Sequence, residues 1–402
     1  FFFKQKTAYE ISTRDWSSDV CSSDLLAAPP AVIGIIEGIS EAAAGLAKLI
    51  SGRLSDRYGR RPVTGIGYGL AALGKVIVAA AGAWPMVMAG RVTDRLGKGT
   101  RSAARDAWLA ASVPPTALGR AFGFHRMGDT LGAVIGPLLG LWILSSSHDD
   151  LRLALWVAVI PAVLSAGLVF LAREAPEPIQ MVTKPEVSVH SDGATLSDNA
   201  SNGRPVLTKR QPTRVGPTFW RVTGLLGCIA LMNFPDALLL LRLHDLGWST
   251  QTVLLGYVAY NLVYTVAALP AGALADRMPP AGVYAIGLLF FGAAYLGLGT
   301  VASGSDSWAT WALLALYGLF PACTDGVGKA WVSTLVPDQI RGRAQGYFQA
   351  MGNAAVFAAG LWAGLLWDAG RGAGRLPLIV SGCAGLGAAV CMSVLALRRR
   401  LR

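Results

Sequence analysis

Across 402 residues the chain is 53% hydrophobic and only 15% charged, with a mean hydropathy of +0.47; this is too apolar for a soluble domain and suits a bilayer. Its 35 Lys and Arg outnumber 24 Asp and Glu, for a net charge of +11. An excess of base in cytoplasmic loops accounts for that balance, so no nucleic-acid partner is expected.

In chain order, residues 1–25 are polar, aperiodic and without signal-peptide organisation. Their last seven letters, DVCSSDL, resemble the translation of a sequencing adapter. The segment is expected to be artefactual or disordered, with the authentic chain entering near Leu26 and one helix lost upstream. A bilayer core of about 30 Å needs about 20 apolar residues per helix. Eleven stretches meet that need, near 31–50, 63–83, 85–111, 119–144, 151–171, 219–241, 250–273, 280–301, 308–336, 343–367 and 376–397. Between the fifth and sixth, residues 173–218 are rich in Pro, Ser, Thr and charge and read as a cytoplasmic linker. The expected domains are therefore 26–172, a helical bundle lacking its first helix, and 219–402, a second bundle.

Charge alternates from loop to loop. Arg53, Arg57, Arg60 and Arg61, then Arg120, the linker's Lys184, Arg204, Lys209, Arg210 and Arg214, then Arg341, Arg343 and the terminal RRRLR all fall on one side. The positive-inside rule makes that side cytoplasmic, the C-terminus included, in a multi-pass protein of the inner (plasma) membrane. The halves also repeat each other: Gly52, Asp56 and Arg57 recur as Gly272, Asp276 and Arg277 at an offset of 220, and Trp108, Pro114, Arg120 and Gly123 recur as Trp331, Pro337, Arg343 and Gly346 at an offset of 223. Two parallel repeats follow, eleven visible spans plus one lost making twelve.

Residues 52–62 read GRLSDRYGRRP and 272–278 read GALADRM. The first resembles the signature of the major facilitator superfamily with every signature position filled, the second a degenerate copy, and the resemblance spans 26–398. It implies an all-α membrane fold of two parallel, pseudo-symmetric six-helix bundles, and a cytoplasmic gate built from Gly52, Asp56, Arg57, Gly59, Arg60 and Arg61 with Gly272, Asp276 and Arg277. In physical terms Gly52 permits close helix approach and Asp56 suits the positive N-terminus of a neighbouring helix. The three arginines equally serve to set topology. The segment GAVIGPLLG at 132–140 resembles a signature of exporters. Gly132, Gly136 and Gly140 share a face on which a partner backbone could approach, and Pro137 bends the helix.

On the stretch 85–111, Arg91, Asp94, Arg95, Lys98, Arg101 and Arg105 recur at spacings of three or four and share a face. At 1.5 Å per residue Asp94 to Lys98 lie roughly 14 to 20 Å from Pro85, near the midplane, where charges must face a wet cavity or partners. Glu37 with Glu41, and His125 with Asp129 and Arg126, supply partners or proton carriers. Asp325 and Lys329 lie one turn apart and can pair within their helix, which Pro321, Gly326 and Gly328 weaken. Asp236 after Pro235 is a further isolated charge, and Trp311, Tyr317, Trp331 and Tyr347 are aromatic candidates for the pathway.

The five cysteines form no CxxC pair and the four histidines are scattered, with no HExxH, nucleophile elbow or phosphate loop. No metal, cofactor or enzymatic activity is expected. The resulting expectation is a monomeric secondary transporter of a small, anionic or amphipathic solute, exporting it in exchange for protons by alternating access. An uptake symporter on the same fold is the alternative, and a non-transporting membrane sensor the rival of another class.

Overall fold

A computed structural model describes the backbone of residues 30–147, 150–172, 215–301, 308–369 and 372–400, with side chains from 43 to 397 within those ranges. The segment 1–25, most of the linker and the side chains of Glu37 and Glu41 lie outside the described residues.

Twelve α-helices and no strand occur among the described residues: α1 Pro30–Tyr58, α2 Arg60–Ala79, α3 Trp84–Ala111, α4 Leu118–Ser146, α5 Leu151–Leu171, α6 Pro217–Ala230, α7 Asp236–Asp245, α8 Thr250–Arg277, α9 Pro280–Thr300, α10 Trp308–Thr334, α11 Arg341–Leu365 and α12 Arg375–Arg400. Short 3₁₀ turns, Pro115–Ala117 and Asp338–Ile340, lead into α4 and α11. By length and composition six segments can cross a membrane, among them α2, α4, α5, α8 and α9. α3 falls short because of the charges it carries, not its length.

One stretch read from the sequence as a single span, 219–241, is two helices. α6 ends at Ala230 and α7 starts at Asp236, with Pro235 as its N-cap residue. Proline has no amide hydrogen to continue the α6 ladder, and the residue before it is driven out of the helical region. The gap is braced instead by side chains: Trp362 Nε1 donates to the Leu231 carbonyl at 3.0 Å and the Tyr295 hydroxyl to Asn233 Oδ1 at 3.2 Å.

The repeat in the sequence is matched by a repeat in the packing. α2 packs on α3 as α9 packs on α10, α1 on α3 as α8 on α10, α2 on α5 as α9 on α12, α1 on α11 as α8 on α4, and α3 on α11 as α10 on α4. The last two kinds join the first repeat to the second. Small residues set the closest approaches, as expected where lipid removes the hydrophobic drive between helices. Gly67 and Gly74 of α2 face Gly97, Gly90 and Asp94 of α3 so tightly that a Cβ would run into backbone. The core of the second repeat is aromatic, with Phe234, Tyr257, Tyr260, Phe291, Tyr295 and Tyr317 all nearly inaccessible.

Two of the three glycines expected to pack α4 do not. Gly132 and Gly136 are exposed, and a Cβ on either would meet nothing within 4 Å, whereas Gly140 is buried. The backbone of α8 crosses α4 about three turns earlier, at Gly119 and Gly123, and the two helices stay in contact as far as Thr130, whose hydroxyl meets that of Thr265 at 2.9 Å.

Candidate functional site

Two carboxylates join the two repeats at one end of the molecule. Asp56, at the end of α1, accepts hydrogen bonds from the backbone amides of Gly342 (2.9 Å) and Arg343 (2.8 Å), the first residues of α11. Asp276, its repeat partner at the end of α8, accepts from Gly119 (2.6 Å) and Arg120 (3.0 Å), the first residues of α4. Those amides have no partner within their own helices and carry the positive end of the helix dipole, so each carboxylate satisfies two of them at once. Gly52 lies against Gly342, and Gly272 against Gly119, close enough that a Cβ on either would meet a carbonyl oxygen. Arg120 Nε adds an ion pair to Asp276 at 3.1 Å.

The remaining residues of the two motif copies divide by their contacts. Gly59 turns the chain from α1 into α2 at φ 97°, a conformation that side chains resist. Arg60 crosses to the second repeat, 3.0 Å from Asp338 Oδ2, and Asp338 is also held by Arg341. Arg61 stays within its own repeat on the Phe170 carbonyl, Arg57 lies over the Tyr58 ring, and Arg277 is exposed. Arg53, outside the signature, donates to the Tyr347 hydroxyl at 2.9 Å.

Deeper, side chains of both repeats form one buried charge network. Lys329 Nζ of α10 lies 2.6 Å from Asp106 Oδ2 of α3, which is fully buried and also accepts from Gln349 Nε2 of α11 at 2.8 Å. Arg105 approaches Asp106 at 3.5 Å and Asp129 of α4 at 3.8 Å. His125 and Arg126 meet Asp129 at 3.5 and 3.8 Å, and Arg126 reaches Asp325 of α10 at 3.5 Å. Tyr264 of α8 donates to Asp325 at 2.8 Å. Lys329 thus reaches out of its helix rather than only along it. Charges taken out of lipid or water survive because every one has an opposite neighbour. Even so, Asp106 Oδ1, Arg105 Nε and His125 Nε2 are buried without a hydrogen bond among the described residues, so the network retains unused polar capacity.

Six residues singled out in the sequence, Arg105, His125, Arg126, Asp129, Asp325 and Lys329, meet here. Arg101 instead lies over the Tyr68 ring of α2 at 4.4 Å. Arg91 is buried, Asp94, Arg95 and Lys98 are half-buried on α3, and none of these four is without an interacting partner. The centre of the network, Asp106, escaped the sequence reading because it stands one residue off the charged face of α3. The repeat held the signal: the offset of 223 that pairs Trp108 with Trp331 also pairs Asp106 with Lys329.

Apart from this network, Asp236 at the start of α7 accepts from the Tyr317 hydroxyl (2.6 Å, on Oδ1) and the Tyr260 hydroxyl (2.9 Å, on Oδ2). Arg242, almost fully buried, donates to the carbonyls of Leu298 (3.0 Å), Ala373 (2.9 Å) and Val301 (2.8 Å), capping the end of α9 together with Arg375.

The family model described as Major Facilitator Superfamily matches residues 20–241 and 233–402. The chain belongs to the Major Facilitator Superfamily. It is a multi-pass membrane transporter of a solute and not an enzyme. An "Uncharacterized MFS-type transporter" of Methanocaldococcus jannaschii is 27% identical over 343 residues, covering 83% of this chain and 79% of that protein. "Multidrug resistance protein MdtH" of Cronobacter sakazakii is 32% identical over 136 residues, 34% of this chain and 33% of its own. Among solved structures the superfamily fold recurs in the proton:xylose symporter XylE, with a TM-score of 0.73 at 15% identity over 98% of this chain and 94% of that one. The human organic anion transporter MFSD10 gives 0.70 at 17% identity, over 92% and 87%.

Proposed function

We propose that the chain is a proton-coupled exporter of a small anionic or amphipathic solute, working by alternating access. The observation that carries this reading is the buried network joining Asp106, Arg105, Asp129 and Arg126 of one repeat to Lys329, Asp325 and Gln349 of the other. Ionisable groups at that depth, bridging two bodies and retaining unused hydrogen-bonding atoms, fit a place where cargo or protons displace protein partners. The excess of base over acid along Arg91, Asp94, Arg95, Lys98 and Arg101 supports an anionic group on the cargo. The similarity to MdtH supports export.

Arg53, Arg57, Arg60, Arg61, Arg120, Arg341 and Arg343 all cluster at the end closed by Asp56 and Asp276. By the positive-inside rule that end faces the cytoplasm, with the C-terminus on the same side. The conformation would then be closed inward, and breaking both carboxylate latches opens it. The domain division at the linker, 173–218, and a monomeric state complete the proposal.

The test uses everted membrane vesicles containing the chain, an imposed proton gradient and a panel of organic anions and amphipathic drugs. Collapse of the gradient on adding a panel member is the expected result. Collapse only in right-side-out vesicles supports uptake by symport instead, and no response in either orientation overturns the transport reading.

A further inference from the structure

Every carboxylate of the central network faces at least one cation: Asp106 faces Lys329, Asp129 faces Arg105 and Arg126, and Asp325 faces Arg126. Asp276 has Arg120, and Asp56 sits on the amides of α11. Asp236 differs, because its hydrogen bonds come from two neutral phenols and no Lys or Arg pairs with it among the described residues. The titratable groups that face it are Tyr260 from α8, Tyr317 from α10 and Tyr295 from α9. On its own helix Arg242 is committed to three backbone carbonyls, and Asp245 takes the indole hydrogen of Trp367 at 3.0 Å.

We propose that Asp236 is the proton-binding carboxylate of the transport cycle, and that its protonation works the break between α6 and α7. This rests on the proton-coupled reading above. A carboxylate held against a cation resists protonation, since the proton must replace a full charge; one held by phenols has only two hydrogen bonds to rearrange. A proton that reaches Asp236 forms an O–H bond on Oδ1 or Oδ2 and takes the side chain from charge −1 to 0. The oxygen that gains the proton turns from acceptor into donor, so the phenol on it must rotate to accept or let go. Tyr317 and Tyr260 fasten the start of α7 to α10 and α8, so that reversal loosens the segment bridging the gap from Leu231 to Pro235. Loss of the proton to the other aqueous side restores both bonds.

The geometry also joins this group to the central network. Tyr260 and Tyr264 stand one turn apart on α8, the first on Asp236 and the second on Asp325. On α10, Tyr317 and Asp325 are two turns apart, about 12 Å along the axis. The two sites are therefore tied along two helices, so a change at one is felt at the other.

The test needs no known solute. Infrared difference spectra of the full chain in liposomes, between mildly acidic and mildly alkaline buffer, should show a protonated-carboxyl band that is lost in Asp236→Asn. Tyr317→Phe takes away one of the two phenols on the Asp236 carboxyl, so it should change the frequency of that band, a change that keeps the proposal testable if Asp236→Asn does not fold. Identical spectra for wild type and Asp236→Asn, or a band of unchanged frequency in Tyr317→Phe, overturn the proposal. Vesicle assays separate the two readings. Gradient collapse that survives in Asp236→Asn removes Asp236 and leaves the exporter standing, whereas a titrating Asp236 in a chain that collapses no gradient removes the coupling.

Discussion

Asp106 and Lys329 occupy equivalent positions in the two repeats, and their side chains meet at 2.6 Å. Equivalent residues that touch each other lie on the axis relating the repeats, so this pair marks where the halves turn against one another. Removing one partner strands a buried charge at a cost of about 3–5 kcal/mol. Asp106→Asn and Lys329→Met should each lower the melting temperature in detergent strongly. Because the positions are equivalent, the swap Asp106→Lys with Lys329→Asp should recover much of the loss. A swap no more stable than the worse of the two reversed singles, Asp106→Lys or Lys329→Asp, would show that the pair is not the pivot.

Glycine substitutions should divide by location. Gly52→Val and Gly272→Val force a side chain into a carbonyl across the repeat interface and should destabilise by about 1–3 kcal/mol each. Gly132→Ala and Gly136→Ala meet open space and should be neutral or stabilise by up to about 1 kcal/mol, the gain of replacing glycine within a helix. Thermal unfolding followed by intrinsic fluorescence distinguishes the two groups by sign.

Asp56→Asn and Asp276→Asn each leave one acceptor oxygen where two amides need partners. A charge-assisted bond of this kind is worth about 1.5–3 kcal/mol. Cysteines introduced beside the latches should react faster with a soluble maleimide, by about tenfold or more for either variant and further for both together. Unchanged rates in the double variant would mean that the latches do not hold this end shut.

The fold was legible because lipid imposes long apolar helices and because the repeat left matching letters at offsets of 220 and 223. The partner of Asp56, a helix N-terminus, was legible from charge alone. Other features depended on three-dimensional neighbours. The glycine face on α4 has the right spacing, but spacing does not say where α8 crosses. Asp106 lies off the charged face by one residue, and a helical-face reading discards it. The break at Pro235 hid inside an apolar run long enough for one span, although proline carries the signal that the ladder stops. Tyr260 and Tyr264 carry no signal in the sequence that sets them apart from other aromatics of a span; only their contacts place their hydroxyls on carboxylates.

Arg242 offers a test of stability apart from transport. Arg242→Met leaves the carbonyls of Leu298, Val301 and Ala373 without their donor. At about 1–3 kcal/mol for each buried group left unpaired, a loss of about 3 kcal/mol or more is expected, read as a fall in melting temperature. Equal stability of the variant would mean that water replaces the guanidinium.

The basic face of α3 is tested by flux. Arg95→Ala and Lys98→Ala should abolish gradient collapse by whichever anion proves active, with folding intact by circular dichroism. Full activity in both would take these residues off the solute path.

The carboxylates of Asp56 and Asp276 bind main-chain amides, and this makes the closure asymmetric for heredity. Both hydrogen bonds lost with Asp56 run to main-chain amides of α11, which no second mutation can adjust by changing a side chain, whereas Asp276 is also held by the Arg120 side chain of α4. Suppressor alleles of Asp56 should therefore map to distant sites that weaken the rival conformation, while positions 342 and 119 drift only among residues small enough to let the helices meet.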